Sequence, residues 1–423
     1  MAQTLKFGNG TWATKEGSTL AYNDEGNNYK PLPFNFERDS IATRVNKKGL
    51  IEVVGNDIPR IDYTDSAEGA LLLENSATNL VTYSEDFSHS SWDLLDASIE
   101  NNSTLVTPQG VNGVQELREN SDNDDHLIKS DSTFTSSDCS FSVFAKYKGN
   151  DRNIKLSLGT GKYASFNLQD GYVFDVQSAT TAEIIKLSNG WYRCVINGNI
   201  SASKLNIILL NDTNEVYQGD GTSGIYVWGA MFESNSVASS YIPTNGSTVQ
   251  RAAETCNGSG NSEVFNDSEG VLFADVNIDA NDGNFRFLSL SDGSSTNAVW
   301  IYYRSDANQI NFRVIVGGVS SFDQIYTIND ATLNTKLLLK YKENNFSAWV
   351  NGFEVLTDNS GSTFSNNVLN NLEFNRPDGV NNFYGKTKEI GYYDTVLTDA
   401  ELETLTSYRS LSELVTELNL NTL

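Results

Sequence analysis

The side chains of this sequence that are best suited to chemistry are aromatic rings set among amides and carboxylates. Faces of Trp and Tyr rings stack on the apolar faces of a pyranose, while neighbouring polar groups bind its hydroxyls. The candidate rings form one set in each half of the chain: Trp191, Tyr192, Tyr226 and Trp228, then Trp300, Tyr302, Trp349, Tyr392 and Tyr393. Because Trp and Tyr often fill sandwich interiors, any single one of them is more often a core residue.

The sequence contains no arrangement of a nucleophile and a base that would predict catalysis. The two histidines, His89 and His126, lie neither in a GxSxG motif nor beside a cysteine. Glycoside hydrolysis needs only two carboxylates at a defined separation, but 54 acidic residues offer so many pairs that none is selected. We therefore expect no catalytic residue.

Metal sites and disulfides are also not predicted. Two Asp-rich loops, residues 211–224 and 277–284, could hold Ca²⁺ through carboxylate and carbonyl oxygens. Neither loop has the ligand order of an EF-hand, and solvated turns explain their composition, so no metal is assigned. Cys139, Cys194 and Cys256 are an odd number without metal-ligand spacing, and we expect them to be buried free thiols.

The charge of the chain restricts its partners. Lys and Arg number 29 against 54 Asp and Glu, which gives a net charge of −25. This charge opposes binding to nucleic-acid phosphates and to anionic membranes. No signal peptide and no apolar run long enough to span a bilayer is found. We expect neither nucleic-acid binding nor membrane insertion, and synthesis in a reducing cytoplasm.

The elements that would position the aromatic rings are short strands. In the segment "FSAWVNGFEV" Phe346, Ala348 and Val350 share one face and Trp349 lies on the other. The Asn-Gly pair at 351–352 is typical of a type I′ turn between antiparallel strands. Similar strands recur along the chain, separated by Gly, Asn and Asp. The pattern predicts an all-β fold of tandem antiparallel β-sandwiches.

Composition divides the chain into five parts. Residues 1–78 are short segments broken by Gly, Asn and Pro, and they predict an irregular N-terminal anchoring segment. The sandwiches are expected at 79–250 and 267–405, and the small, polar residues at 251–266 indicate a linker. Residues 406–423 are expected to form an amphipathic helix and tail.

Helices are expected only near the C-terminus. Thr398 and Glu401 have the spacing of a capping box. A second helix is predicted from Ser410, with one apolar stripe: Leu411, Leu414, Val415 and Leu418. The stripe either packs on its own sandwich or meets a neighbouring chain.

A local reversal of charge occurs at residues 38–60. Five basic residues face three acidic ones in this segment, which gives it a net charge of +2 in an acidic protein. It is either a solvated hairpin face or a docking segment for an acidic partner. The candidate docking residues are Arg38, Arg44, Lys47 and Lys48.

Three sequence blocks resemble a module of tailed-bacteriophage virion proteins. They are "FERDSIATRVNKKGLIEVVGNDIPRIDY", "GALLLENSATNLVTYSEDFSHSSW" and "YQGDGTSGIYVWGAMFESNSVASSYIPTNGSTVQRAAE". The module is found in head fibres, tail fibres and tail spikes. The resemblance implies a carbohydrate-binding-like jelly roll on the virion surface, attached through its N-terminal side to other virion proteins, commonly as a homotrimer.

The part after residue 265 resembles concanavalin A-like and laminin-G-like sandwiches. The hairpin at 346–355 and "KEIGYYDTVLTDAELETL" are similar to that family's hairpin, last strand and closing helix. The resulting hypothesis is a phage appendage that binds host-surface glycans without cutting them. A polysaccharide-degrading enzyme and a purely structural decoration protein without a ligand remain the alternatives.

Overall fold

The computed structural model describes residues 5–15, 19–23, 29–408 and 415. Up to Leu73 it contains β1 (Leu5–Gly8), β2 (Ala13–Lys15), β3 (Thr19–Asn23), β4 (Tyr29–Glu37), β5 (Ala42–Val45), β6 (Ile51–Val54), β7 (Arg60–Asp62) and β8 (Ala70–Leu73).

The middle of the chain contains the largest number of strands. They are β9 (Ala77–Asn79), β10 (Trp92–Leu95), β11 (Ala97–Val106), β12 (Asn112–Glu119), β13 (Asn123–Asp125), β14 (Leu127–Ser130), β15 (Phe134–Tyr147), β16 (Arg152–Ser157), β17 (Tyr163–Asn167), β18 (Tyr172–Phe174), β19 (Thr181–Lys186), β20 (Trp191–Ser203), β21 (Asn206–Asn211), β22 (Val216–Gln218), β23 (Gly224–Glu233), β24 (Val249–Arg251) and β25 (Thr255–Asn257). A short 3-10 helix, Ser188–Gly190, precedes β20.

The last part contains the strands β26 (Glu269–Ile278), β27 (Arg286–Ser291), β28 (Ala298–Tyr303), β29 (Gln309–Val316), β30 (Val319–Thr327), β31 (Thr335–Lys342), β32 (Phe346–Val350), β33 (Phe353–Asp358), β34 (Asn371–Glu373) and β35 (Gly385–Tyr393), followed by the helix α1 (Asp399–Thr406). The fold is therefore all-β, as predicted. In the part of the chain that the structure describes, no helix is long and apolar enough to cross a membrane.

The chain forms two compact units. The first contains the residues up to Asp39, Gly55–Asn75 and the residues from Ala253 onward; the second contains Ser40–Val54 and Ser76–Ala252. This division differs from the predicted one, in which residues 1–78 were separate from both sandwiches.

The second unit is a sandwich of two six-stranded antiparallel sheets. One sheet has the order β10-β14-β21-β16-β17-β18 and the other the order β11-β12-β23-β15-β20-β19. Alternate residues of both sheets fill a shared apolar core that includes Phe141, Phe166 and Ile207. The β5–β6 hairpin belongs to this unit, where Thr43 donates to the carbonyl of Tyr241.

The first unit is also a sandwich. Its larger sheet has the order β33-β32-β31-β26-β35-β8-β7, with β1 also paired to β35, and its smaller sheet has the order β30-β29-β28-β27-β34. Their facing residues bury one core, and Phe34 and Phe36 of β4 belong to it. The N-terminal strands are thus part of this sandwich, because β1 and β8 pair with its last strand.

The predicted linker is also structured. Within residues 251–266, β25 pairs with β4, and Arg251, Glu254 and Cys256 are buried. Small polar residues resemble a linker in composition, but here they surround a strand. The pairing of that strand with residues 35–37 could not be read from local sequence.

The predicted Asn-Gly turn and the predicted capping box are confirmed. Val350 pairs with Phe353 across the Asn351-Gly352 turn, and both turn residues have positive φ. The capping box of α1 is present. α1 covers the outer side of the larger sheet, where Leu402 packs in one cluster with Trp349. Of the predicted apolar stripe only Val415 is described; Leu411, Leu414 and Leu418 lie outside the described residues.

Four buried charges connect the separate segments of the first unit. Glu254 accepts hydrogen bonds from Arg38 Nη1 and Arg60 Nε, each at 2.8 Å, and Arg60 Nη1 lies 2.7 Å from Glu74 Oε2. Burial would lower the pKa of Arg60, but the two carboxylates outweigh it and raise that pKa. At least one charged residue from each of the three sequence blocks is therefore part of one buried network inside the fold. We call Arg38, Arg60, Glu74 and Glu254 the buried ion network.

Candidate functional site

Most of the predicted glycan-binding rings are core residues. In the second unit Trp191 and Trp228 pack in one buried cluster with Phe144 and Tyr241, and Trp191 Nε1 donates to the carbonyl of Val106 at 3.0 Å. Tyr226 is half-buried against the same cluster, and Tyr192 is buried against the main core of that unit. The three buried rings, Trp191, Trp228 and Tyr192, cannot stack on a sugar, whereas part of Tyr226 stays exposed.

The same holds for three rings of the first unit. Trp349 and Tyr393 are buried in the cluster beneath α1. Tyr392 lies in the main core, where its hydroxyl is 2.8 Å from that of Tyr341. Aromatic residues fit both sites and interiors, and the sheet pairing assigns these three to interiors.

Trp300 and Tyr302 differ, because the structure brings them together on the outer face of the smaller sheet. Alternate residues of β27, β28 and β29 point to the core, so the intervening residues point away from it. A second, smaller apolar cluster forms on that outer face and includes Phe287, Trp300, Tyr302 and Ile315. We call this surface the aromatic–polar face, defined by Phe287, Ser289, Trp300, Tyr302, Asn311, Arg313, Asp323 and Glu373.

The register of the sheet aligns these residues in rows. One row crosses five strands in the order Glu373, Ser289, Trp300, Arg313 and Asp323. The next row has the order Phe287, Tyr302, Asn311 and Ile325. Residues in a row are neighbours because adjacent strands lie about 4.8 Å apart.

The rings of the aromatic–polar face are packed against each other. Phe287 and Tyr302 stack with their ring centroids 4.2 Å apart and an interplanar angle of 5°. Trp300 meets Phe287 edge to face at 5.4 Å, and the guanidinium carbon of Arg313 lies 5.8 Å from the centre of the Trp300 ring. Trp300 is 5% exposed. The packing fixes the position of the indole and encloses its Nε1.

At the charged end of the long row, Arg313 and Asp323 form an ion pair with each other. Arg313 Nε lies 3.2 Å from Asp323 Oδ2, and the Arg313 guanidinium also donates to the Ser320 hydroxyl. Asn311 Nδ2 donates to Asp323 Oδ1 at 3.0 Å. The last contact fixes the orientation of the Asn311 amide, so its oxygen is directed away from Asp323.

Three buried polar atoms of the aromatic–polar face have no hydrogen-bond partner among the described residues. They are Trp300 Nε1, Asn311 Oδ1 and Glu373 Oε2. The other oxygen of Glu373 accepts from Asn371. Burial raises the pKa of Glu373, and the Asn371 hydrogen bond offsets part of that rise. A buried polar atom without a partner costs roughly 1–3 kcal/mol and calls for an explanation.

The candidate docking residues have different environments. Arg38 is buried in the ion network, so it cannot dock a partner at the surface. Arg44 is half-buried and pairs with Glu52 at 2.9 Å. Lys47 and Lys48 are exposed in the turn between β5 and β6. The local excess of positive charge on the surface is therefore smaller than the sequence suggests.

Several carboxylates of the Asp-rich loops are engaged by neighbouring groups of the protein. Asp220 accepts from Thr222 and Ser223 of its own loop, and the Ser223 hydroxyl contributes most to lowering its pKa. Asp279 and Asp282 both pair with Arg286. No group of His, Cys, Asp and Glu that could hold a metal ion is found among the described residues.

Both histidines contact neighbouring groups of the protein, and the three cysteines are buried. His126 is buried between the backbone carbonyls of Asp96 and Tyr217, at 2.7 and 3.3 Å from its two ring nitrogens. His89 stacks on Tyr83. All three cysteines are free and buried, as predicted.

Sequence reasoning missed six members of the aromatic–polar face: Phe287, Ser289, Asn311, Arg313, Asp323 and Glu373. For Phe287, Asn311 and Arg313 a signal existed, because each alternates with apolar core residues along its strand. Glu373 gave no signal. Its strand has three residues, and its neighbour Ser289 is far away in the sequence.

No protein-family model and no curated protein sequence matches the chain. Among solved structures, the chain is similar to the CBM40 of the Ruminococcus gnavus IT-sialidase bound to α2,3-sialyllactose, with 18% identity, a TM-score of 0.30, and coverage of 36% of this chain and 94% of that one. Mouse laminin α1 domains LG4-5 match with 11% identity and a TM-score of 0.24, covering 68% and 90%.

A third similar structure is the Trypanosoma rangeli sialidase in complex with sialic acid. It matches with 10% identity and a TM-score of 0.28, and the match covers 92% of this chain and 65% of that one. Because the TM-scores of all three matches are low, the assignment of the fold as two β-sandwiches rests on the strand pairing and cores described above.

Proposed function

We propose that the protein binds saccharides and that the aromatic–polar face is its binding site. The observation that carries the proposal is the long row, in which a fixed cluster of rings lies between polar side chains that reach the surface, those of Glu373, Arg313 and Asp323. Each of these three side chains can donate to or accept from a ligand at the surface. Saccharides carry many hydroxyls, which suits the carboxylate and guanidinium groups of this face.

We propose binding without hydrolysis. Retaining and inverting glycosidases hold two carboxyl groups at about 5 to 9.5 Å. The two carboxylates of the long row, Glu373 and Asp323, lie at its opposite ends, four strand spacings or roughly 19 Å apart. Asp323 is also engaged with Arg313. This separation is too large for the two residues to act on one glycosidic bond.

Placement on the surface of a tailed-phage particle is part of the proposal. Its support is the resemblance of the three sequence blocks to phage fibre and spike modules. Attachment to other virion proteins would use the exposed Lys47 and Lys48, and the C-terminal residues would assemble a homotrimer. Locating the chain in a cryo-EM map of the particle tests this placement, and light scattering of the purified protein tests the trimer.

A glycan array tests the binding itself. Arg313→Leu keeps an apolar cover beside the Trp300 ring but removes the guanidinium, and we expect it to lose glycan retention. Arg118→Leu is the matched control, because Arg118 is an equally exposed arginine that pairs with a carboxylate in the other unit. The proposal is refuted if the wild-type protein retains no glycan, or if both variants retain glycans as the wild type does. Release of reducing ends from a bound polysaccharide would refute binding without hydrolysis.

A further inference from the structure

We propose that the outer face of β16, β17 and β18 in the second unit binds an amino saccharide, with a sugar ring on Tyr172 and Phe174 and an ammonium group beside Asp175. This surface belongs to a different sheet and a different unit from the aromatic–polar face, so the inference goes beyond the proposed function. We call Tyr163, Tyr172, Phe174, Asp175 and Glu215 the ring–carboxylate surface.

The register of β17 and β18 places two rings on one face of the sheet. Phe166 of β17 belongs to the core, so its neighbours along the strand, Ser165 and Asn167, point away from the core. Phe174 pairs with Ser165, and Tyr172 pairs with Asn167. Residues that lie directly opposite each other on neighbouring strands project to the same side of the sheet. Both rings therefore lie on the outer face.

The rings can be reached from solvent. Tyr172 is 50% exposed, and Phe174 is half-buried. The centroids of these two rings are 6.1 Å apart with an interplanar angle of 56°, so the rings do not stack on each other. Tyr163 lies two positions before Ser165 on the same outer face and is also half-buried. A ligand placed on this surface can contact aromatic carbon atoms directly.

The turn before β18 fixes the position of Tyr172. Gly171 N–H donates to the carbonyl of Asn167 at 3.0 Å, and Asn167 Oδ1 accepts from the backbone N–H of Asp170 at 2.7 Å. Gly171 has a φ of +76°, and a Cβ at this position would lie 2.7 Å from the Tyr192 ring. Because Asn167 Oδ1 is engaged, the half-buried amide turns Nδ2 toward the surface, where it can donate to a sugar hydroxyl.

The ring–carboxylate surface already holds one ammonium group of the protein. Lys155 Nζ lies 3.7 Å from the centre of the Tyr163 ring and 3.7 Å from Asp175 Oδ2, and it donates to Glu215. The side chain of Lys155 is 5% exposed, whereas those of Asp175 and Glu215 are 48% and 40% exposed. Two exposed carboxylates therefore outnumber one buried ammonium. A ligand ammonium balances this excess of negative charge, and a ligand carboxylate or sulfate increases it.

Together these groups match an amino saccharide better than either simpler ligand class. Tyr172 and Phe174 offer aromatic faces to the apolar face of a pyranose. Asp175 offers a carboxylate to an ammonium group, and the neighbouring rings attract the same cation through their π faces. A neutral saccharide lacks the ammonium, and a lysine-rich peptide lacks the pyranose face.

Calorimetry with two matched oligosaccharides tests the ligand class. The hexamers of glucosamine and of N-acetylglucosamine have the same sugar rings, and at about pH 6 only the first carries ammonium groups. The parent protein is the full chain with Arg313→Leu, so that the aromatic–polar face does not contribute. We expect this parent to bind the glucosamine hexamer at least about threefold more tightly than the acetylated hexamer.

Variants of the parent test the site. Tyr172→Ala and Asp175→Asn should each weaken binding of the glucosamine hexamer by about two- to tenfold, because a ring face or a charge partner is lost. Phe353→Ala, which removes a 72% exposed ring from the other unit, is the control for Tyr172. Asp138→Asn, which neutralises an exposed carboxylate on the other sheet of the second unit, is the control for Asp175. Both controls should bind as the parent does.

Four results would overturn the inference. They are no binding of the glucosamine hexamer by the parent, equal or tighter binding of the acetylated hexamer, unchanged affinity in Tyr172→Ala, and a lysine hexapeptide that binds as tightly as the glucosamine hexamer. The last result would show that charge alone is recognised. If Tyr172→Ala does not fold, Asp175→Asn changes an exposed side chain and still tests the site. None of these results alters the outcome of the Arg313→Leu array, which tests the proposed function separately.

Discussion

Replacing Glu254 by Gln should strongly destabilise the first unit. The carboxylate of Glu254 is fully buried and accepts from Arg38 Nη1, Arg60 Nε, Arg60 Nη2 and the backbone N–H of Glu74. Gln keeps the shape of the side chain but removes one negative charge. It also directs two N–H donors toward groups that are themselves donors. Glu74 would then be the one remaining carboxylate of the buried ion network against two guanidinium groups.

The size of the expected destabilisation follows from the burial of the ion network. Removing one partner of a buried ion pair costs roughly 3–5 kcal/mol, because a charge is left uncompensated in a poorly solvated place. For domains of 150–250 residues each kcal/mol shifts the melting temperature by roughly 2–4 °C, so we expect a decrease of about 6–20 °C. Glu343→Gln, which neutralises an exposed carboxylate of the same unit, should change stability by less than about 0.5 kcal/mol.

Differential scanning calorimetry of the full chain measures this effect. The double variant Arg38→Met/Glu254→Gln restores the charge balance of the network, so its loss of stability should be smaller than the sum of the two single losses. A Glu254→Gln protein that melts within about 2 °C of wild type would refute the reasoning. Strict additivity in the double variant would show that the four charges do not act as one network.

Four further predictions follow from the described contacts. Affinity for a neutral saccharide should fall as the pH is lowered through the raised pKa of Glu373, because protonation removes the charged acceptor, and Glu373→Gln should abolish this dependence. Burial raises the pKa of Asp282, but hydrogen bonds from Arg286 outweigh it and lower that pKa from 3.8 to about 2. Asp282→Asn should therefore destabilise the protein by about 1 kcal/mol at neutral pH. In urea titrations the difference in free energy of unfolding between wild type and Asp282→Asn should shrink as the pH falls from 3.8 toward about 2. Over this range Asp282 becomes protonated, and the stability that its carboxylate contributes is lost. A thiol-specific reagent should leave all three buried cysteines unmodified in the native protein and react with all of them in denaturant; burial raises the pKa of Cys139 to about 11. A truncation that starts at Asn79 removes β1, β4, β7 and β8, so circular dichroism should show an unfolded first unit, whereas a fully folded truncated chain would contradict the observed strand pairing.

The sequence by itself determined the local structure of this protein. The two-residue period of "FSAWV" placed Phe346, Ala348 and Val350 on the core face, and the adjacent Asn-Gly pair formed the predicted turn. The Thr398 and Glu401 capping box is also present. These features depend on residues within a few positions of each other. Steric preferences and side-chain periodicity therefore suffice to predict them.

The tertiary structure decided which residues serve as core and which as site. Trp191 and Trp300 are the same residue type on similar strands, yet Trp191 Nε1 has a carbonyl partner and Trp300 Nε1 has none among the described residues. Likewise, Arg38 resembles a surface docking residue in the sequence but is neutralised by Glu254, which lies far away in the chain. Strand pairing between distant segments sets burial and partners, and burial decides whether a charge or an indole is structural or available to a ligand.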